Sequence, residues 1–310
     1  MRSASGKGAG HFTLATPMYA ALSLSDVAFA DAVACRLGLS AYRRSVVALA
    51  PQHHAPGASA SAAAPTGTAL SMWLLPVCRL CGEDMESNAL HAFVCPKRRT
   101  NQQLANLSSR GLHNALAAAP GRPFEVPTAK SGPTPWQVDI TKYADHLRLQ
   151  PRTHRELLAL PGFPREATPR PRGDIVIIHN GIYYTVLDFV VTSPLRDSYL
   201  QFTSFIDGYA AQEAEKGKDV HYRMYYKNLD AQPDAIRPCA VEIFGTLGER
   251  YHKFIRSVGD MAFPGALETD TDGLRSRFVD RIRQHVSVTQ ARIVHAVFES
   301  WRQDMGPLSR

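Results

Sequence analysis

Two stretches of this chain are dense in β-branched and aromatic residues, Asp174-Ile-Val-Ile-Ile178 and Tyr183-Tyr-Thr-Val-Leu-Asp188-Phe-Val-Val-Thr192, with Asn180-Gly181 between them. Such runs on either side of a turn dipeptide predict a β-hairpin. Each run also carries an acid, Asp174 or Asp188, where an apolar residue would be the norm. A two-residue loop puts Asp174 opposite Leu187 and turns Asp188 to the other face of the sheet. A three-residue loop with Gly181 in the left-handed conformation pairs 179 with 183 and therefore 174 with 188, which sets the carboxylates side by side. Adjacent carboxylates repel unless a cation lies between them, and oxygen donors on a rigid hairpin suit Mg²⁺.

A helical period follows, from Ser204 to about Tyr222. Ala211, Glu215, Lys218 and Tyr222 fall at i, i+4, i+7 and i+11 and so share one stripe. A lysine, a carboxylate and a phenol can thus face the hairpin, with Lys218 placed to orient a water or stabilise charge on a phosphorane. Glu215 is a possible third acid, and Lys216 on another face is the rival lysine. From Thr271 to about Trp301, Leu274, Phe278, Ile282, Val286, Val288, Ile293, Val297 and Phe298 approximate helical spacing and predict a helix packed on the sheet.

Cys78-x2-Cys81-x9-His91-x3-Cys95 has the spacing of a tetrahedral Zn²⁺ site. Four protein ligands leave no open position, so the expected zinc is structural, and its binding contributes the folding energy that so small a module cannot draw from a core. Lys97, Arg98 and Arg99 start a basic amphipathic helix running towards Ala118, placed to grip phosphates.

Composition fits a nucleic-acid partner. The 310 residues carry a formal net charge of +7 with a pI of about 9.2. Between Lys142 and Arg172 seven Lys/Arg, Arg170 and Arg172 among them, face three Asp/Glu, a basic stretch just ahead of the acidic hairpin. Only Cys35 and Cys239 lie outside the zinc motif, which does not resemble a disulfide framework. No apolar run approaches the ~20 residues of a membrane span. Residues 51 to 68, rich in Ala, Pro, Ser and Gly, read as a disordered linker. Lys142-Tyr-Ala-Asp145-His lacks the second aspartate of a polymerase Y-x-D-D, and no reverse transcriptase is expected here.

Arg172-Gly173-Asp174, Asp188-Phe-Val-Val-Thr-Ser-Pro194 and Gly208-Tyr-Ala-Ala-Gln-Glu-Ala-Glu215-Lys-Gly-Lys218 with Tyr222 together resemble the restriction-enzyme-like endonuclease of site-specific non-long-terminal-repeat retrotransposons, nucleases of the PD-(D/E)xK superfamily. Ala240-Val-Glu-Ile-Phe-Gly245 extends the resemblance, and Leu24-Ser-Asp-Val-Ala-Phe with Cys35-Arg-Leu-Gly-Leu39 looks like the spacer ahead of the zinc motif. Three positions depart from the pattern: Gly173 replaces Pro or Ala, Val190 stands where a strand lysine would sit, and Thr100 replaces a histidine.

The resemblance implies an α/β fold, a restriction-endonuclease-like mixed sheet flanked by helices. The expected organisation is a spacer helix and linker (1–70), a zinc knuckle with basic helix (71–118), the nuclease domain (120–262) and a helical extension (265–310). It implies Mg²⁺-dependent hydrolysis of DNA by Asp174, Asp188 and Lys218, in the nucleus, leaving a 3′ hydroxyl for a separate reverse transcriptase or an element RNA partner. That reading makes the chain a truncated or domesticated fragment. The alternatives are a catalytically inactive nucleic-acid-binding remnant and a zinc-dependent interaction module.

Overall fold

The computed structural model describes residues 23–36, 78, 81, 91–94, 112, 115–116, 124–125, 138–163, 171–265 and 273–305. The chain divides into two compact units, one of residues 1–25 and 100–293, the other of 26–99 and 294–310. Both halves of the expected helical extension are therefore assigned, but to different units.

The first unit is built on a four-stranded mixed sheet. In chain order its strands are β1 (Phe124–Glu125), β4 (Ile175–His179), β5 (Tyr183–Thr192) and β6 (Ile236–Glu242), and they lie in the order β1-β4-β5-β6. A separate two-stranded ribbon pairs β2 (Val138–Asp139) with β3 (Arg172–Gly173). β1 and β5 both run antiparallel to β4, whereas β6 runs parallel to β5. A parallel neighbour requires a crossover, and this one contains α4 (Asp197–Thr203) and α5 (Tyr209–Tyr225). The helix expected from Ser204 thus starts later and is preceded by a second one. Gly208, at φ +70°, separates them in a left-handed conformation that costs glycine little.

The hairpin adopts the odd loop. His179 pairs with Tyr183, and Asn180 and Gly181 take φ values of 49° and 67°. The ladder runs only to Ile175↔Leu187, however, and Asp174 itself leaves it, its N–H donating to the Leu187 carbonyl at 2.9 Å. The expected 174–188 rung is replaced by a bend. Gly173 makes that bend possible, because a Cβ there would fall 2.2 Å from Cγ1 of Val186 and 3.3 Å from the Leu187 carbonyl oxygen.

Alternation along β5 sends Val186 to one face and Leu187 and Phe189 to the other. On the first face Val176 and Val186 pack with Ile140, Leu147, Leu157 of the short α3 (His154–Leu158), Tyr222 and Tyr225 in one buried cluster. On the second, Phe189 meets Tyr251 edge-on at 5.7 Å and Arg237 lies over the Phe254 ring, both rings belonging to α6 (Glu249–Ala262). The free edge of β6 tolerates Pro238, which has no N–H to offer, and is partly covered where Glu242 N–H donates to Thr246 and Gly248 N–H to Ala240.

The last helix, α7 (Leu274–Met305), starts against α6 and the residue that follows it, and further along it Arg292 donates to the Ser23 carbonyl at 2.6 Å. Phe278 meets Phe263, Arg275 bonds Asp260, and Val279 approaches Gly259, where a Cβ would lie 2.5 Å from its methyl carbon. No helix among the described residues is long and apolar enough to cross a membrane.

In the second unit the described residues include α1 (Asp26–Arg36), the short α2 (His91–Val94) and the end of α7 from Val294. Phe93 of α2 meets Phe298 edge-on at 5.4 Å, and His295 bonds Asp31 of α1. The proposed linker at 51–68 lies outside the described residues. Of the expected basic helix, Leu112, Ala115 and Leu116 are described, all helical and buried.

Candidate active site

Asp174 and Asp188 are 4% and 5% exposed, values that make a carboxylate costly without partners. The bend after Gly173 turns the Asp174 carboxylate back towards β5, where its Oδ2 accepts the Phe189 N–H at 2.6 Å. Asp188 is close enough for the two carboxylates to repel. The two carboxylates are neighbours, as the odd loop predicts, although Asp174 stands at a bend and not in a rung of the ladder.

Asp188 Oδ2 receives two partners from α5. The Lys218 ammonium lies 2.8 Å away and the Tyr222 hydroxyl 2.7 Å away. Tyr222 Oη is also 2.7 Å from the Arg172 carbonyl, and its single proton serves one acceptor at a time. Spacing four residues apart on α5 aims both groups at one place. Lys216 points elsewhere, pairing with Glu213 at 2.6 Å on the solvent side. Val190, two residues after Asp188 and so on the same face, contributes no charge, and the amine arrives from the helix instead.

Burial, then the charge of Asp188, pushes the Asp174 carboxyl up to about 7, against the opposing pull of the Phe189 N–H and Lys218. Two acids thus share one buried corner and compete for positive charge. Burial and Asp188 together hold the Tyr222 phenol well above its ordinary range, so it remains a donor.

Glu215 is engaged elsewhere and is not a third acid of this corner. Its carboxylate accepts the N–H groups of Arg250 at 3.0 Å and Tyr251 at 3.1 Å, with Ala240 at 3.5 Å. The first two open α6, whose N-cap is Gly248 and offers no side chain. A carboxylate from α5 therefore satisfies the helix start, where it also meets the positive end of the dipole. A Cβ at Gly248 would fall 2.1 Å from Glu215 Oε1. Glu242 plays a related part for α5, accepting the Ala211 N–H at 3.3 Å beside the side-chain-free cap Gly208.

Arg172 is exposed and adjoins the site through the carbonyl that Tyr222 reaches. Lys142, Arg148 and Arg155 are also exposed, on the segment whose Ile140, Leu147 and Leu157 pack with Tyr222. Lys97, Arg98, Arg99, Arg170 and Cys95 lie outside the described residues.

A second cluster gathers thiols and imidazole. Donor atoms of Cys78, Cys81 and His91 all lie within 4.8 Å of one another, with Cys81 Sγ 3.2 Å from His91 Nε2. Three of the four expected zinc ligands converge. Cys78 and His91 are each 1% exposed, which suits a site that closes around its ion.

The Phe189 amide and the Glu242 cap went unread in the sequence, since backbone donors and helix caps carry no motif of their own. No protein-family model, curated protein or solved structure matches this chain.

Proposed function

We propose that this protein is a metal-dependent DNA endonuclease whose core has a restriction-endonuclease-like arrangement. The observation that carries the reading is the convergence of Asp174, Asp188 and Lys218 in one buried corner. Two adjacent buried carboxylates with little fixed positive charge are a poor way to stabilise a fold. They are a good way to hold a hard cation.

The donor set fits Mg²⁺, which uses one or two carboxylates and keeps several waters; Asp174 and Asp188 would be its protein ligands. Bound there, Mg²⁺ supplies a Lewis acid that lowers the pKa of a coordinated water and neutralises charge on a scissile phosphate. Lys218, already 2.8 Å from Asp188 and about one-third exposed, can turn its ammonium to the phosphoryl oxygens. The Tyr222 proton holds Asp188 in place. Glu215 positions α5 against α6 and touches no reacting atom in this scheme.

DNA is favoured as substrate by the surplus of four positive charges over Lys142–Arg172 and by the exposed arginines near the site. Zn²⁺ on Cys78, Cys81, His91 and Cys95 would complete a structural knuckle. Supercoiled plasmid tests the reading: wild-type protein should nick it with Mg²⁺ and not with EDTA. Binding to DNA with no metal-dependent nicking would replace the endonuclease by a nucleic-acid-binding protein that does not cut.

A further inference from the structure

Asp31 has no place in either cluster described above, yet it is a fully buried carboxylate on α1, on a helix whose Ala28, Ala32, Ala34 and Cys35 are also buried. A charge in such a setting needs a strong counterpart. His295 lies against it, Nδ1 to Oδ2 at 2.7 Å. One turn further along α7 comes Glu299, at i+4 from His295 and hence on the same face. Ligand atoms of Asp31, His295 and Glu299 all lie within 4.8 Å of one another. Donors around a single ion with bonds of ~2.1 Å stand roughly 3 to 3.5 Å apart, so a small contraction closes the set.

We infer that Asp31, His295 and Glu299 form a second divalent-metal site, distinct from the cysteine cluster and suited to Zn²⁺. The chemistry differs from that of the knuckle in two respects. Its donors are one imidazole and two carboxylates, without thiolate, which is a set Zn²⁺ accepts. It also has three protein donors where the knuckle motif has four, leaving a coordination position for water. Burial agrees: Asp31 is closed off, while His295 and Glu299 are half-buried and give the ion a way in. His295 and Glu299 flank Val297 and Phe298 on α7, and Phe298 meets Phe93 two residues from His91. Loading the second site would therefore brace the helix against which α2 rests.

The test is zinc content of the full chain after loading with ZnCl₂ and dialysis, measured by atomic emission on wild type, His295→Ala and Glu299→Gln. The difference between proteins is what counts, so the result does not depend on whether the knuckle is filled. His295→Ala should lose one equivalent of zinc, and Glu299→Gln should weaken that equivalent at least tenfold in chelator competition. Cys81→Ser should leave it in place. If His295→Ala fails to fold by circular dichroism, Glu299→Gln decides alone, since its side chain lies at the accessible edge. Wild-type zinc content and affinity in Glu299→Gln, or in folded His295→Ala, would reduce the cluster to an ion pair and overturn the proposal.

Discussion

Two buried acid sites lie along α5, one formed by its own Glu215 and the other, on β5 and the bend before β4, reached by its Lys218 and Tyr222, and they are satisfied in opposite ways. Glu215 meets backbone N–H groups fixed by α6 and β6. Asp188 meets the ends of two side chains, one of them a lysine about one-third exposed, while its neighbour Asp174 has a single backbone donor. Burial pushes both Glu215 and Asp174 up to about 7, so the shift alone does not distinguish them. The partners do. Backbone donors cannot leave, whereas Lys218 can swing away and let a cation in. A perturbed carboxyl held by a helix start is architecture, and one held by a movable amine beside a second acid is equipped for chemistry.

The largest expected effect on this contrast comes from Lys218→Ala, which should cut nicking by about 10² to 10³-fold while leaving the fold intact, as for loss of a transition-state charge donor. Lys216→Ala should change it less than about twofold, because that lysine pairs with Glu213 in solvent. Equal losses would erase the assignment of the helix lysine.

Glu215→Ala should act on stability instead. It leaves the Arg250 and Tyr251 amides without their acceptor, at a cost of about 3 kcal/mol read by chemical denaturation. A nicking defect without that destabilisation would place Glu215 in the chemistry after all.

Next in size is a linkage between pH and Mg²⁺. The Asp174 carboxyl lies at about 7 when folded, above its ordinary value of 3.8. Its contribution to metal-free stability is therefore complete below about pH 4 and is lost as pH rises through about 7. Glu215 drifts in the same direction, from 4.5 to about 7. Mg²⁺ should reverse the loss at Asp174 alone, because it binds the ionised pair. The stabilisation by Mg²⁺, read by chemical denaturation, should thus grow by about 2 kcal/mol from pH 5 to pH 8 and vanish in Asp174→Asn. A Mg²⁺ effect that is flat with pH, or that survives in Asp174→Asn, would break the comparison.

The smallest effect is expected of Tyr222→Phe, about 1 kcal/mol of stability for one buried hydroxyl, with metal binding retained.

Much of the aspartate corner was legible. Asn180-Gly181 with an odd loop fixed which residues of β4 and β5 face each other, and the spacing of Lys218 and Tyr222 put both on the stripe that reaches Asp188. The register alone did not reveal the bend at Asp174, since the crowding at Gly173 comes from Val186 across the strand pair. Glu215 was misread for a related reason. Its partners lie 35 and 36 residues on, in a helix that begins at Gly248 without a capping side chain. A helix start lacking Ser, Thr, Asp or Asn at its cap calls for an acceptor from elsewhere, and both Gly208 and Gly248 carried that signal. The resting place of α7 was not legible, because an apolar stripe states that it will be covered and not by what.

The central claim is that Asp174 and Asp188 together hold a divalent cation that the neighbouring Glu215 does not share. Mn²⁺ titration, followed by the loss of the free-ion electron paramagnetic resonance signal, measures it directly at pH 8 on wild type, Asp188→Asn and Glu215→Gln, each in a His295→Ala background so that only this corner is counted. One equivalent should bind wild type and Glu215→Gln alike and be absent from Asp188→Asn. Undiminished Mn²⁺ binding in Asp188→Asn would contradict the account.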